Sequence, residues 1–210
     1  MSIHNNTSIP TSGWRRVELG GLIDLLTGFA FSSSNYSPAG VRLLRGSNVK
    51  RSVIDWSEKI TQYWPSVDET MKRYLLEVGD IVVAMDGAQV GRSFAEVTDT
   101  DLPCLLLQRV ARIRAIGASQ RYVKAWVCSS YFSEHCDRVK THTAIPHISP
   151  ADIRKFKIAL PDSLAEQDMI ASIMESITLA IEAQERLIAQ KQQRKKGLMQ
   201  KLLTGDVRFP

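Results

Sequence analysis

The sequence predicts an α+β protein: a mixed α/β domain over residues 14–161, then a single long helix suited to an antiparallel coiled coil. Three observations predict it. Short β-rich stretches separated by turn residues recur up to Leu160. Pro161 closes that regime. From Leu164 to Leu203 there is no proline and one glycine, Gly197, and apolar residues fall in alternating three- and four-residue steps.

The β-rich stretches are Val41–Leu44, Ile81–Ala84, Leu105–Ile113 and Phe156–Leu160, with turn signals at Pro38-Ala39-Gly40, Gly79-Asp80, Asp86-Gly87 and Ser149-Pro150. One helix is predicted from about Gln120 to Cys136, because Val123, Trp126, Val127, Ser130 and Tyr131 share a face at helical spacing. A second, short helix is predicted to start at Ser149-Pro150. There Ser149 can cap, proline suits the first turn, and Asp152 favours the N-terminus.

In the long helix the seam runs Ile170, Met174, Ile177, Ile181 and Ile188, then Leu198 and Leu202. Gln184, Lys191 and Lys195 fill its middle, and Ile173, Ala180 and Leu187 broaden it. Forty residues make a rod of roughly 60 Å, too long to bury itself on one small domain. Thr204-Gly205 is the expected stop. Leu164 to Glu185 carries five acids (Glu166, Asp168, Glu175, Glu182, Glu185) and no base, whereas Arg186 to Leu203 carries six bases and no acid. A parallel pair would set like charges together; an antiparallel pair sets each acidic half against a basic half. The expectation is a homodimer through this helix, against the blander reading of one solvated helix.

Of the 27 Lys and Arg and 22 Asp and Glu, seven bases and one acid lie at Arg186 or beyond. That end carries +6 and residues 1–185 carry −1, so an acidic partner must be met by local patches rather than by global charge. Hydrophobic residues are 44% and charged residues 23%, which excludes a mainly disordered chain. No apolar run is long enough to span a membrane. The polar stretch 1–13 lacks the order of a signal peptide and is expected to fray, and a cytoplasmic location is expected. Three widely spaced cysteines, Cys104, Cys128 and Cys136, argue against a disulfide framework.

Catalytic signatures are sparse. There is no GxGxxG, no GxxxxGK[ST], no HExxH, and no Asn/Asp-Pro-Pro-aromatic tetrapeptide of the amino-methyltransferase kind. Cys128, His135 and Cys136, with His142 and His147 downstream, do not match structural zinc spacing. Glu77, Asp80 and Asp86 lack the Glu-x-Lys of a metal-dependent nuclease, and Gly79-Asp80 and Asp86-Gly87 read as turns. The expectation is no catalytic residue, no metal and no cofactor in this chain.

Binding signals are better. Arg45, Asn48, Lys50 and Arg51, with Arg42, surround Gly46-Ser47 after a predicted strand. They combine cations for phosphates with amides for base edges, although the same composition serves a solvated loop. Gln89 and Arg92 lie in the glycine-containing loop 85–92, and Lys140 and His142 in a third polar stretch that runs on to His147. Three such loops in one domain point to DNA.

The chain resembles the DNA-specificity subunits of type I restriction–modification systems. The resemblance rests on Trp14-Arg15-Arg16-Val17-Glu18-Leu19-Gly20, Gly28-Phe29-Ala30-Phe31, Leu44-Arg45-Gly46-Ser47-Asn48-Val49, Gly79-Asp80-Ile81-Val82-Val83, Gln108-Arg109-Val110-Ala111-Arg112-Ile113 and Ile145-Pro146-His147-Ile148-Ser149-Pro150. Its most specific parts are Leu160-Pro161, Glu166-Gln167 and the run from Lys195 to Phe209. It implies a target-recognition domain (14–161), a conserved spacer and dimerisation helix (162–205) and a short tail (206–210). It further implies a non-catalytic reader of double-stranded DNA that docks methyltransferase (modification) and restriction subunits. S-adenosylmethionine, ATP and Mg are then expected in those partners. Full-length members carry two recognition domains and two antiparallel helices, and the sequence shows one of each. The alternative is an orphan half-subunit that assembles with methyltransferase or specificity subunits without binding DNA alone.

Overall fold

The computed structural model describes residues 12–208; most of the polar N-terminal stretch expected to fray lies outside them. Among the described residues, nine strands and four α-helices succeed one another, with short 3-10 turns between some of them: β1 (Trp14–Glu18), β2 (Ile23–Thr27), β3 (Val41–Leu44), β4 (Tyr63–Trp64), β5 (Ile81–Ala84), β6 (Phe94–Glu96), β7 (Cys104–Leu106), β8 (Val110–Ala115), α1 (Gln120–Val127), α2 (Ser130–Val139), α3 (Pro150–Arg154), β9 (Lys157–Pro161) and α4 (Leu164–Leu203). The strands form three sheets. One is the antiparallel ribbon β1-β9, one the four-stranded antiparallel sheet β2-β8-β5-β6, and one the sheet β4-β3-β7, in which β3 and β7 run parallel.

Strand alternation builds the core. On β3 and β7, Leu43 and Leu105 point to a cluster with Phe31, Trp64 and Leu107. Their neighbours Leu44 and Leu106 point the other way, to Val82, Ala84, Ala95, Val97 and Val110. β5 is buried at all four positions, which is why it reads as a continuous apolar run rather than an alternation.

Two predicted elements are divided. The stretch Leu105–Ile113 is two strands, turned at Gln108-Arg109, where Arg109 takes a left-handed φ of 70°. The predicted helix Gln120–Cys136 breaks at Cys128-Ser129, and Ser129 caps a new helix by accepting from the Phe132 amide. The break resets the helical phase. Val123 and Val127 are buried as expected, but Ser130 and Tyr131 are exposed, and Phe132 and Cys136 fill the interior instead. α3 has the expected capping box between Ser149 and Asp152, with Pro150 in the first turn. Strands β1, β2, β4 and β6 lie outside the predicted β-rich stretches.

The chain divides into two units, one ending at Asp168 and one beginning at Met169. In the first, the opening turn of α4 is tied down. Gln167 is buried, donating to the Pro161 carbonyl (2.8 Å) and accepting from the Ser119 amide (2.8 Å), while Trp14 Nε1 donates to Glu166 (3.1 Å). Pro161, Glu166 and Gln167 thus have a common structural role. The second unit continues the helix to Leu203; the Thr204 hydroxyl bonds back to the Gln200 carbonyl and Gly205 follows with φ +79°. No described helix is long and apolar enough to cross a membrane.

Candidate nucleic-acid interface

The three polar loops that the sequence marks are brought into one network. Loop 45–54 leaves β3, loop 85–93 joins β5 to β6, and loop 140–149 joins α2 to α3. Met85 is the junction: its amide donates to the Arg109 carbonyl and its carbonyl accepts from Ile148 (both 2.8 Å). Gly87 donates to the Pro146 carbonyl (3.0 Å), and Ser52 donates to the Phe94 carbonyl (2.8 Å). Gly46 approaches Asp86 so closely that a Cβ would stand 3.2 Å from its carboxylate. Loop 85–93 is clamped on α2 by Gly91, whose φ is +77° and whose Cβ, if it had one, would lie 2.5 Å from that of Cys136. Only glycine meets both conditions. Ser133 Oγ completes the clamp by donating to the Gly91 carbonyl (2.7 Å).

The eight candidate residues divide. Lys50, Arg51, Gln89 and His142 are exposed, and Arg45 is half-buried with its guanidinium near the Ile60 carbonyl (3.5 Å). Asn48 is a correction. It is fully buried, its side-chain oxygen accepting from the Arg45 amide (3.1 Å) and its nitrogen donating to the Asp55 carbonyl (2.9 Å). It staples its own loop and has no amide edge left for a base. Arg92 and Lys140 are paired within the chain: both bind Asp137, Arg92 through two nitrogens and Lys140 at 2.7 Å. Those contacts, Arg92's first, hold the Asp137 carboxyl down at about 2. The Arg92–Asp137 pair ties loop 85–93 to the end of α2, and Lys140 adds an i,i+3 pair there.

Sequence reasoning missed Gln108 and Arg109. Both are exposed on the β7–β8 turn, hydrogen-bonded into the same network through Phe29 and Met85. Two long polar residues in an otherwise apolar run were the available signal. Ile145, 67% exposed at the tip of loop 140–149, is a further surface residue that the composition of its loop does not mark.

The remaining chemistry-bearing groups have other occupations. Asp80 is buried against Arg114, which also reaches Glu77 (3.3 Å). His135 Nε2 meets the Asp152 carbonyl (2.8 Å). Burial pushes the thiols of Cys104, Cys128 and Cys136 up to about 12, so they stay protonated and weakly nucleophilic at neutral pH. On α4, Ile170 is half-buried, whereas Met174, Ile177, Ile181, Ile188, Leu198 and Leu202 are each 40–54% exposed.

The described site is thus a set of loops with exposed cations and amides, cross-tied on the α+β unit, and the helix bears an exposed apolar seam. The family model of the type I restriction modification DNA specificity domain matches residues 11–190, and the chain belongs to that family. It is similar to the type I restriction enzyme EcoAI specificity subunit of Escherichia coli, with 32% identity over 79% of this chain and 28% of that subunit. It is also similar to the MjaVIII specificity subunit of Methanocaldococcus jannaschii, with 29% identity over 93% of this chain and 46% of that one. The chain therefore spans less than half the length of these relatives. Among solved structures, the HsdS subunit of Thermoanaerobacter tengcongensis superposes with a TM-score of 0.63 over 97% of this chain and 48% of that one. At 20% identity, that likeness is one of fold.

Proposed function

We propose that this chain is a non-catalytic DNA-sequence reader of a type I restriction–modification system, working beside methyltransferase and restriction subunits that carry the chemistry and its cofactors. The observation that carries the reading is the specificity-domain match over residues 11–190. The exposed members of the loop network, Lys50, Arg51, Gln89, Gln108, Arg109 and His142, supply its candidate DNA contacts. Two copies pair antiparallel through α4, acidic half against basic half, covering the seam from Met174 to Leu202. Each copy then reads the same short sequence on opposite strands, so the preferred site is an interrupted palindrome. Selection of bound duplexes from a random pool tests this directly. Recovery of inverted repeats with a fixed gap supports it; unrelated or asymmetric sites overturn the paired-reader geometry.

A second reading, that the chain assembles with methyltransferase subunits and does not bind DNA alone, is favoured by one observation. The withdrawal of Arg92 and Lys140 onto Asp137 leaves the loops with few free cations. The same selection, run with and without a methyltransferase subunit, separates the two: enrichment only in its presence supports the second.

A further inference from the structure

Away from the loop network, α2 borders a second concavity. A groove of about 250 Å³ runs between α2 and the outward face of the β1-β9 ribbon. Trp126, Tyr131, His135 and Phe156 form an aromatic lining, with Trp126 and Tyr131 at 5.8 Å and Trp126 and Phe156 at 6.1 Å between ring centres. Ala159, small and opposite Arg16 in the ribbon, leaves the hollow open. Four cations rim it (Arg16, Arg138, Lys155 and Lys157) against one lining acid, Glu134, and Lys155 also helps to hold down the nearby Asp152 carboxyl. Glu18 stands across the ladder from Lys157 without an ion pair.

We propose that this groove is a docking site for an acidic segment of a protein partner, anchored by one aromatic or leucine side chain. Three arguments carry it. The lining carries four cations to one acid, so its complement is acidic. The hollow has the dimensions of one large side chain and its backbone, and a half-buried Trp and an exposed Tyr beside Arg are usual anchors of protein interfaces. Duplex DNA could touch the rim cations, but a rod with stacked bases would leave the aromatic lining uncovered. The groove and the candidate DNA loops also occupy opposite sides of α2. Ser133, Cys136, Asp137 and Lys140 meet the clamp of loop 85–93, whereas Tyr131, Glu134, His135 and Arg138 line the groove. At 100° per residue these two sets lie about 160° apart around the helix. One copy can therefore hold DNA and a partner segment at once.

The test uses the full chain and a fluorescent hexapeptide, Asp-Glu-Phe-Leu-Glu-Asp, followed by polarisation. Saturable binding is expected, about tenfold weaker when the peptide's Phe and Leu are both replaced by Ala, and lost when its four acids become Lys. The double variant Arg138→Glu/Lys155→Glu alters exposed side chains and is expected to remain folded, by its melting transition, while losing at least about tenfold in peptide affinity. Tyr131→Ala, also exposed, is expected to weaken binding through the anchor alone. Absence of saturable binding, or equal binding by wild type and both variants, overturns the proposal. So does a loss of duplex-DNA binding in Arg138→Glu/Lys155→Glu, which would assign the groove to the DNA surface. Peptide binding is read directly, so the result stands apart from whether the loops bind DNA.

Discussion

The unit ending at Asp168 and the helix beyond Met169 satisfy burial in opposite ways. In the first, apolar side chains lie inside, and the polar groups that go in with them bring partners. Asn48 is bonded at both ends of its amide, Asp101 accepts from Trp56 (2.8 Å) and closes a capping box with Thr98, and Asp80 holds Arg114. Among the buried side-chain nitrogens and oxygens of the described residues, only the Nε of Arg112 is without a hydrogen bond. In the helix the backbone is satisfied internally, but the apolar side chains from Ile173 to Leu203 are largely exposed. The first unit covers its own apolar side chains; the second leaves its apolar seam exposed.

The sharpest way to break that contrast is to charge the seam. Ile177→Asp with Ile181→Asp places two unpaired carboxylates on the seam proposed to meet a partner helix, at a cost of several kcal/mol each if that seam is buried. The paired form is expected to become monomeric in sedimentation, while near-ultraviolet circular dichroism from the tryptophans of the first unit is unchanged. A wild type already monomeric at about 10 μM would remove the premise of the helix as an interface.

Asn48→Ala probes the other unit. Truncation leaves the Arg45 amide and the Asp55 carbonyl without their partner, and is expected to cost about 2–4 kcal/mol in urea unfolding. Folded molecules should keep the wild-type base preference, because Asn48 is a staple. A variant of normal stability with relaxed base preference would return Asn48 to the DNA surface.

The exposed loop residues come next. Replacing Lys50, Arg51 and Arg109 by Ala is expected to weaken binding to all duplexes, flattening the slope of log affinity against log salt by about 0.9 for each phosphate left without its cation. Gln89→Ala or Gln108→Ala instead relaxes one position of the site by about 1–3 kcal/mol. If the triple variant keeps the wild-type slope, these cations do not face phosphate.

Periodic or apolar segments were legible in the sequence, and features set by tertiary contact were not. Ile81–Ala84 and Val41–Leu44 are strands with the predicted bounds, and α4 spans Leu164–Leu203, because long apolar or heptad patterns specify one element with little ambiguity. The division of the Gln120–Cys136 helix was hidden because Ser129 fits a helix face as well as a cap. In the loop network, composition marked three loops that the fold ties together, but it could not separate outward cations from internally paired ones. Lys50 and Lys140 are the same residue in similar polar company. Only the fold shows that Asp137, one turn before Lys140, claims the second of them.

That ion cluster supplies the smallest and most specific prediction. The Asp137 carboxyl is held at about 2, below its ordinary 3.8, first by Arg92 and then by Lys140. A carboxylate with a depressed folded pKa adds stability that is complete above its unfolded pKa and is lost as pH falls through the folded one. At face value the gap corresponds to about 2.4 kcal/mol. The Arg92 and Asp137 side chains are 42% and 33% exposed, so solvent screening reduces it to about 1 kcal/mol. Asp137→Asn is thus expected to unfold about 1 kcal/mol more easily at pH 7, with about half of that difference gone by pH 3. A deficit that persists undiminished at pH 3 would show that Asp137 contributes shape rather than charge. The same substitution releases Arg92 and Lys140 beside the loop network. If the reason they do not act as DNA contacts is that Asp137 holds them, duplex affinity should rise and its salt dependence steepen in this variant, even as the fold weakens.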